Sequence, residues 1–214
     1  MNITVIIVVI TCVVSFVAFS NQKIINDLIF YPPAIANNNQ WYRFFTCGLI
    51  HADIGHLAFN MISFYLFGKL VEQAFGEIFG DKGGLLYALM YITALAACLI
   101  PTYSQQKDNH HYRSLGASGA VSAVVFAGIF LFPTQKIGLF FIPPIIPGFI
   151  FGPLYLFISA YLSRKGGGGI NHSAHFWGAV YGIAFLIVTS FTLSVLPNFN
   201  PITWFVNQIK ESYF

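Results

Sequence analysis

Charge is what this sequence has least of. Only 8% of its 214 residues are Asp, Glu, Lys or Arg, against 57% hydrophobic and 18% aromatic. So few charged groups cannot cover a water-facing surface, which excludes an ordinary soluble domain. The net charge of +3 is spread thinly along the chain. With no basic cluster to track a phosphate backbone, nucleic acid is set aside as a partner. Cysteine is scarce as well: Cys12, Cys47 and Cys98 are odd in number and lack CxxC or metal-type spacing. Small buried packing residues are the natural reading of all three.

What the chain has instead is long apolar runs. Crossing about 30 Å of hydrocarbon takes about 20 helical residues. Such runs occur at 3–19, 55–75, 83–103, 116–132, 137–162 and 174–196. The expected fold is an all-α integral membrane protein, a six-helix bundle forming one domain over 1–214 without internal repeats. The first run has a rival reading as a signal peptide, since Ala18 and Ser20 resemble a cleavage site, although no Lys or Arg precedes it. The fifth run carries Pro143, Pro144, Pro147 and Pro153. Each removes a backbone donor, so an irregular first half and a short, weakly packed helix are expected there.

The connections are informative too. The loop 20–54 is longer than a simple link needs, and its Trp41, Tyr42, Phe44 and Phe45 suit a membrane interface. Gly166, Gly167, Gly168 and Gly169 form a linker with unusual backbone freedom, expected to move. The tail 197–214 is expected along the interface. With a cytoplasmic amino terminus, Lys69, Lys82, Lys136 and Lys210 would lie inside and Lys23, Arg43, Lys107, Arg113, Arg164 and Lys165 outside. The distribution of Lys and Arg mildly favours the opposite arrangement.

Two apolar runs open on residues able to do chemistry. The fourth begins Gly116-Ala117-Ser118-Gly119-Ala120, one hydroxyl among four small residues. Alone, that is a helix-packing patch, and Ala120 excludes the GxSxG nucleophile elbow. The sixth begins near His175, and an ionisable group inside a spanning helix is a functional candidate by default. Gly178 and Gly182 follow at i+3 and i+7, so one helix face carries an imidazole above two glycines and can be approached closely. A partner face with Gly116, Ser118, Gly119 and Ser122 would bring the Ser118 hydroxyl to His175, and neutral imidazole is the usual base for serine. The plainer reading of His175 is a packing histidine bonded to a carbonyl.

Acyl transfer also needs donors for the oxyanion. His56 and Asn60, at i and i+4 in the second run, point the same way from one helix. Zinc held by His51, His56 and His175 is the competing use of these histidines. Without HExxH or a supporting carboxylate it ranks below a serine mechanism, and no metal or cofactor is expected. No carboxylate accompanies His175 either, which favours a Ser-His dyad over a triad.

Taken together, these elements resemble the rhomboid family of intramembrane serine proteases. Trp41-Tyr42-Arg43 is similar to the family's Trp-Arg signature, and His51, His56 and Asn60 to its HxxxxHxxxN. Gly116-Ala117-Ser118-Gly119 is similar to its GxSG, and Ala174-His175 with Gly178 and Gly182 to its AHxxGxxxG. The resemblance implies a site sunk in a water-filled cavity, Ser118 as nucleophile, His175 as base and then acid, and the oxyanion held by His56, Asn60 and the Ser118 backbone N–H. It implies structural support from Trp41, Arg43, His51, Gly116, Gly119, Gly178 and Gly182, and a cap loop at Gly166 to Gly169. It further implies single-pass membrane proteins as substrates, entering sideways past the proline-broken run, and the cytoplasmic membrane of a prokaryote, with an outward-facing site. Many family members have an aromatic residue where this chain has Ser122, so the ring of His175 needs another support, with Phe176, Trp177 and Tyr181 as candidates. Two other functions compete: a rhomboid-like protein that binds membrane proteins without cutting them, and a small transporter. The latter would need paired halves with matching helix breaks, and proline breaks are seen only in the fifth run.

Overall fold

The computed structural model describes residues 2–139, 142–165 and 169–214, so Gly166, Gly167 and Gly168 of the expected cap loop lie outside the described residues. The chain is mostly helical. The helix α1 (Ile3–Phe19) leads into a loop built from α2 (Gln22–Leu28), α3 (Pro32–Asn38), α4 (Arg43–Thr46) and a 3₁₀ turn at Cys47–Leu49. Then follow α5 (Ile54–Phe79), α6 (Gly83–Ala97), α7 (Ile100–Gln106) and α8 (Ser118–Leu131). After the strands β1 (Lys136–Leu139) and β2 (Ile142–Pro147) come α9 (Gly148–Lys165), α10 (His172–Leu193) and α11 (Pro201–Tyr213).

The burial pattern of α1 is inverted relative to a protein in water. Its buried residues are Thr4, Thr11, Ser15 and Ala18, whereas Val9, Val13, Phe16 and Val17 are exposed. Only an apolar surrounding makes that arrangement favourable. The stretch Ile54–Gln106 and the helix His172–Leu193 are long and apolar enough to cross a membrane, and α1 and α8 are shorter apolar helices. Polar contacts sit inside. Glu72 on α5 accepts from the backbone N–H groups of Ile3 and Thr4 at 2.7 and 3.0 Å and from the Thr4 hydroxyl at 2.7 Å. A carboxylate is thereby set on the unpaired donors at the start of α1, where the helix dipole favours it, which fastens α1 to α5.

At the centre is α8, buried nearly all round and packed against α5, α6 and α10. At 1.5 Å per residue it reaches only about 21 Å, short of the roughly 30 Å of a hydrocarbon core.

Three expectations need correction. The run 83–103 is not one helix: α6 ends at Ala97 and α7 restarts at Ile100. Pro101 explains the break, because its ring would clash with the carbonyl four residues earlier, that of Ala97. The first half of the run 137–162 is an antiparallel ribbon with Lys136 opposite Pro147, so the fold is not purely α. Two strands leave one edge of each unpaired, which is where prolines are tolerated. The helix that follows is also longer than expected, 18 residues with Pro153 inside it, although it is weakly packed: only Gly148, Gly152 and Ser159 are buried.

Candidate active site

Ser118 is the first residue of α8. The first turn of a helix has N–H groups without intrahelical acceptors, so the Ser118 hydroxyl stands among backbone donors. The loop before it is pinned twice: Gly116 N–H donates to the Cys47 carbonyl at 2.9 Å, and Ala117 N–H to His51 Nε2 at 3.4 Å. Gly116 has φ +111, in the region that favours glycine, and a β-carbon there would also strike the His56 ring. On both counts a side chain is excluded at this position.

His175 lies in the first turn of α10, capped by Asn171, whose side-chain oxygen accepts from Ala174 N–H at 3.1 Å and from the Thr102 hydroxyl at 3.2 Å. Glycine lets α10 approach α8 at two levels. A β-carbon at Gly178 would overlap the Gly119 carbonyl, one at Gly182 the Ala123 carbonyl, and one at Gly119 the Cys98 sulfur. This close crossing puts His175 Nε2 at 2.7 Å from the Ser118 Oγ. With Nε2 of the neutral ring accepting from the Ser118 hydroxyl, the ring's one N–H proton sits on Nδ1, 3.2 Å from the hydroxyl oxygen of Tyr155 on α9.

His56 and Asn60 rise from the start of α5, whose N-cap Asp53 accepts from His56 N–H at 2.8 Å. One Asn60 Nδ2 proton is spent on the His56 carbonyl at 2.9 Å, leaving the second as a donor. Both residues line a cavity of about 330 Å³ together with Ser118, Gly169, Asn171 and His175. The arrangement offers a hydroxyl, a base in contact with it and donors around the same space, which is the chemistry of acyl transfer.

Two of the expected supporting residues, Trp41 and Arg43, lie further out. Arg43 is buried at 6% exposure and donates from Nη1 to the carbonyls of Asn26 and Ile29, both at 2.8 Å, and from Nε to Gln40 at 2.6 Å. It ties the long loop to itself. Trp41 stays half-exposed and stacks on Phe44 with centroids 6.0 Å apart. Cys47 and Cys98 are buried and free, and Cys12 is free.

His51 is 1% exposed, and burial pushes its pKa down to about 4. As a neutral ring it accepts from Ala117 at Nε2 and donates from Nδ1 to the Ser15 hydroxyl at 3.0 Å, which donates on to the Leu49 carbonyl at 2.9 Å. The chain of bonds links α1 to the loop that delivers Ser118. An unfolded His51 titrates near 6.5, so its contribution is complete above that pH and is lost as pH falls toward about 4. Thermal unfolding in detergent should show stability declining as pH falls across that window, about 1 kcal/mol per pH unit of it from His51 itself, with the slope reduced in His51→Asn.

Sequence reasoning missed Tyr155. Of the three candidates for supporting His175, Tyr181 donates to Thr93 at 2.7 Å, and Phe176 and Trp177 pack on each other with centroids 5.4 Å apart. The signal was available only as an absence: Ser122 is small, which leaves room for a residue from α9 to reach the ring.

Comparison with known proteins agrees with the geometry. The model of the Rhomboid domain matches residues 38–191. The chain is 34% identical over 143 residues to RHOMBOID-like protein 12, mitochondrial, of Arabidopsis thaliana, covering 63% of this chain and 42% of that protein. It is 30% identical over 155 residues to the putative rhomboid protease YdcA of Bacillus subtilis, covering 71% of this chain and 69% of the relative. It is 26% identical over 166 residues to the rhomboid protease GlpG of Haemophilus influenzae, covering 76% and 77%. A helix bundle turned inside out toward an apolar surrounding, a serine held against a histidine by glycine-mediated crossing, and a family match across most of the length lead to one conclusion: this chain belongs to the rhomboid family.

Proposed function

We propose that the protein is an intramembrane serine endopeptidase that cuts transmembrane segments of single-pass proteins with a Ser118–His175 dyad. The observation that carries this reading is the 2.7 Å hydrogen bond between the Ser118 Oγ and His175 Nε2 at the edge of a cavity. Ser118 gives its proton to Nε2 as Oγ attacks the scissile carbonyl carbon. The resulting oxyanion takes hydrogen bonds from His56, the second Asn60 Nδ2 proton and the Ser118 backbone N–H. His175 then hands the proton to the departing amine, leaving an acyl-enzyme. Water, deprotonated by the same ring, attacks that ester, and the ring then gives the proton to Ser118 Oγ as the C–O bond breaks and the carboxylic acid product leaves.

The setting proposed is a single domain of six membrane-crossing helices in a prokaryotic cytoplasmic membrane, amino terminus inside and cavity opening outward. Substrate would approach through the lipid along α9, whose contacts with the bundle are sparse. A peptide bond inside an intact helix is shielded by its own hydrogen bonds, so helix-weakening residues should govern cutting. In proteoliposomes, single-span substrates with Gly or Pro near the outer end should be cleaved at least about tenfold faster than uniformly helical Leu-rich ones. Equal rates would count against that specificity. Tight retention of every substrate with no cutting would favour a binding protein without proteolysis.

A further inference from the structure

We infer that Tyr155 is the positioning residue of His175, and that it makes the aim of the base depend on the packing of α9 against α8; this rests on the serine protease reading above. With Nε2 turned to Ser118, Nδ1 is the ring nitrogen left to fix the imidazole plane by a hydrogen bond, beside the edge contact of the His172 ring with centroids 6.0 Å apart. Tyr155 Oη stands 3.2 Å from it, and no carboxylate touches the ring among the described residues. Nδ1–H therefore donates to the Tyr155 oxygen. The tyrosine proton turns away toward Ser122 Oγ, 3.5 Å distant. The phenol ring is set by Phe126 and Phe151, with centroids at 5.4 and 5.8 Å. A neutral oxygen thus takes the place that a carboxylate fills in a triad, giving orientation without a fixed charge.

The coupling to α9 follows from where this hydroxyl is mounted. Ser118 and His175 stand on α8 and α10, which are locked together at Gly119, Gly178 and Gly182. Tyr155 stands on a helix that buries little more than Gly148, Gly152 and Ser159 and exposes Ile150, Leu154, Phe157 and Tyr161. A second cavity, of about 120 Å³, opens between α5, α8 and α9 and is lined by Asn60, Ser118, Ser122, Tyr155 and His175. Any segment reaching Ser118 through it lies beside Tyr155. A segment that wedges α9 away from α8 withdraws the acceptor from Nδ1 and loosens the aim of the base, whereas one that fits the cavity keeps it aimed. Selection then acts on turnover more than on binding.

Tyr155→Phe tests this, because it keeps the ring and its packing and removes only the oxygen. Turnover of a cleavable single-span substrate should fall about tenfold with KM within about twofold of wild type, the loss of one hydrogen bond, while the thermal midpoint falls only slightly. The ¹⁵N spectrum of histidine-labelled protein, with the His175 ring assigned from its loss in His175→Gln, reads the same bond without any turnover. The Nδ1 resonance should shift in Tyr155→Phe. An unshifted Nδ1 resonance, or wild-type kcat in Tyr155→Phe, overturns the inference. A wild type that cuts nothing overturns the protease reading instead, and the spectrum still decides whether Tyr155 holds the ring.

Discussion

Ser118→Ala and His175→Ala are each expected to abolish cleavage of a membrane substrate, lowering kcat by about a thousandfold or more. The hydroxyl and the ring share one proton across 2.7 Å, so neither does its work alone. Removing the ring leaves a serine with no base to take its proton. Removing the hydroxyl leaves a base with no nucleophile beyond water. The double variant should be no slower than the worse single one, since residues acting as a unit lose their effect together. Both single variants should stay folded with a thermal midpoint close to that of wild type, because Gly119, Gly178 and Gly182, rather than this one hydrogen bond, set the crossing of α8 and α10. Activity surviving in either, measured in proteoliposomes, would reassign the nucleophile or the base.

Gly182→Val is expected to be nearly as damaging by a different route. A β-carbon at this position overlaps the backbone carbonyl of Ala123 on α8, and backbone of a central helix cannot rotate aside as a side chain could. Overpacking of this kind costs about 1–3 kcal/mol, and valine adds two further methyl groups at the same point. The helices must separate, and the 2.7 Å contact about two turns from Gly182 along α10 opens with them. A misplacement of about 1 Å at a reacting centre costs about a hundredfold in rate. Gly182→Val should therefore show both a lowered unfolding midpoint and an activity loss of about a hundredfold or more. Gly76→Ala on α5 is the matched control: a β-carbon there meets nothing within 4 Å. That variant should match or slightly exceed wild type in stability, since alanine suits a helix better than glycine. A Gly182→Val protein as stable and active as Gly76→Ala would show that close crossing is not what joins the two residues.

How far the sequence carried the site depended on whether a contact had a local signature. Ser118 and His175 could be paired because each heads an apolar run and small residues follow both at helical spacing, which marks two faces able to come close. His56 and Asn60 were legible for the same reason, a shared helix face. What no spacing announces is a residue delivered from elsewhere. Tyr155 sits in an apolar, proline-interrupted run whose helical part begins only at Gly148, and nothing local relates it to His175. The amide proton that Asn60 spends on the His56 carbonyl was equally invisible, because it depends on a rotamer. In the fold, the break between α6 and α7 could have been read from Pro101, but the apolar run on either side of it masked the signal. The ribbon before α9 shows that prolines can do more than weaken a helix: they can move a segment into another kind of structure.

The central claim is that Ser118 is an activated nucleophile because His175 takes its proton. It is tested most directly by treating the detergent-solubilised protein with a fluorophosphonate probe, alongside Ser118→Ala and His175→Ala of equal stability. Covalent labelling of wild type that vanishes in both variants is the expected result. A folded wild type that takes no label, or a label that persists in Ser118→Ala, would contradict it.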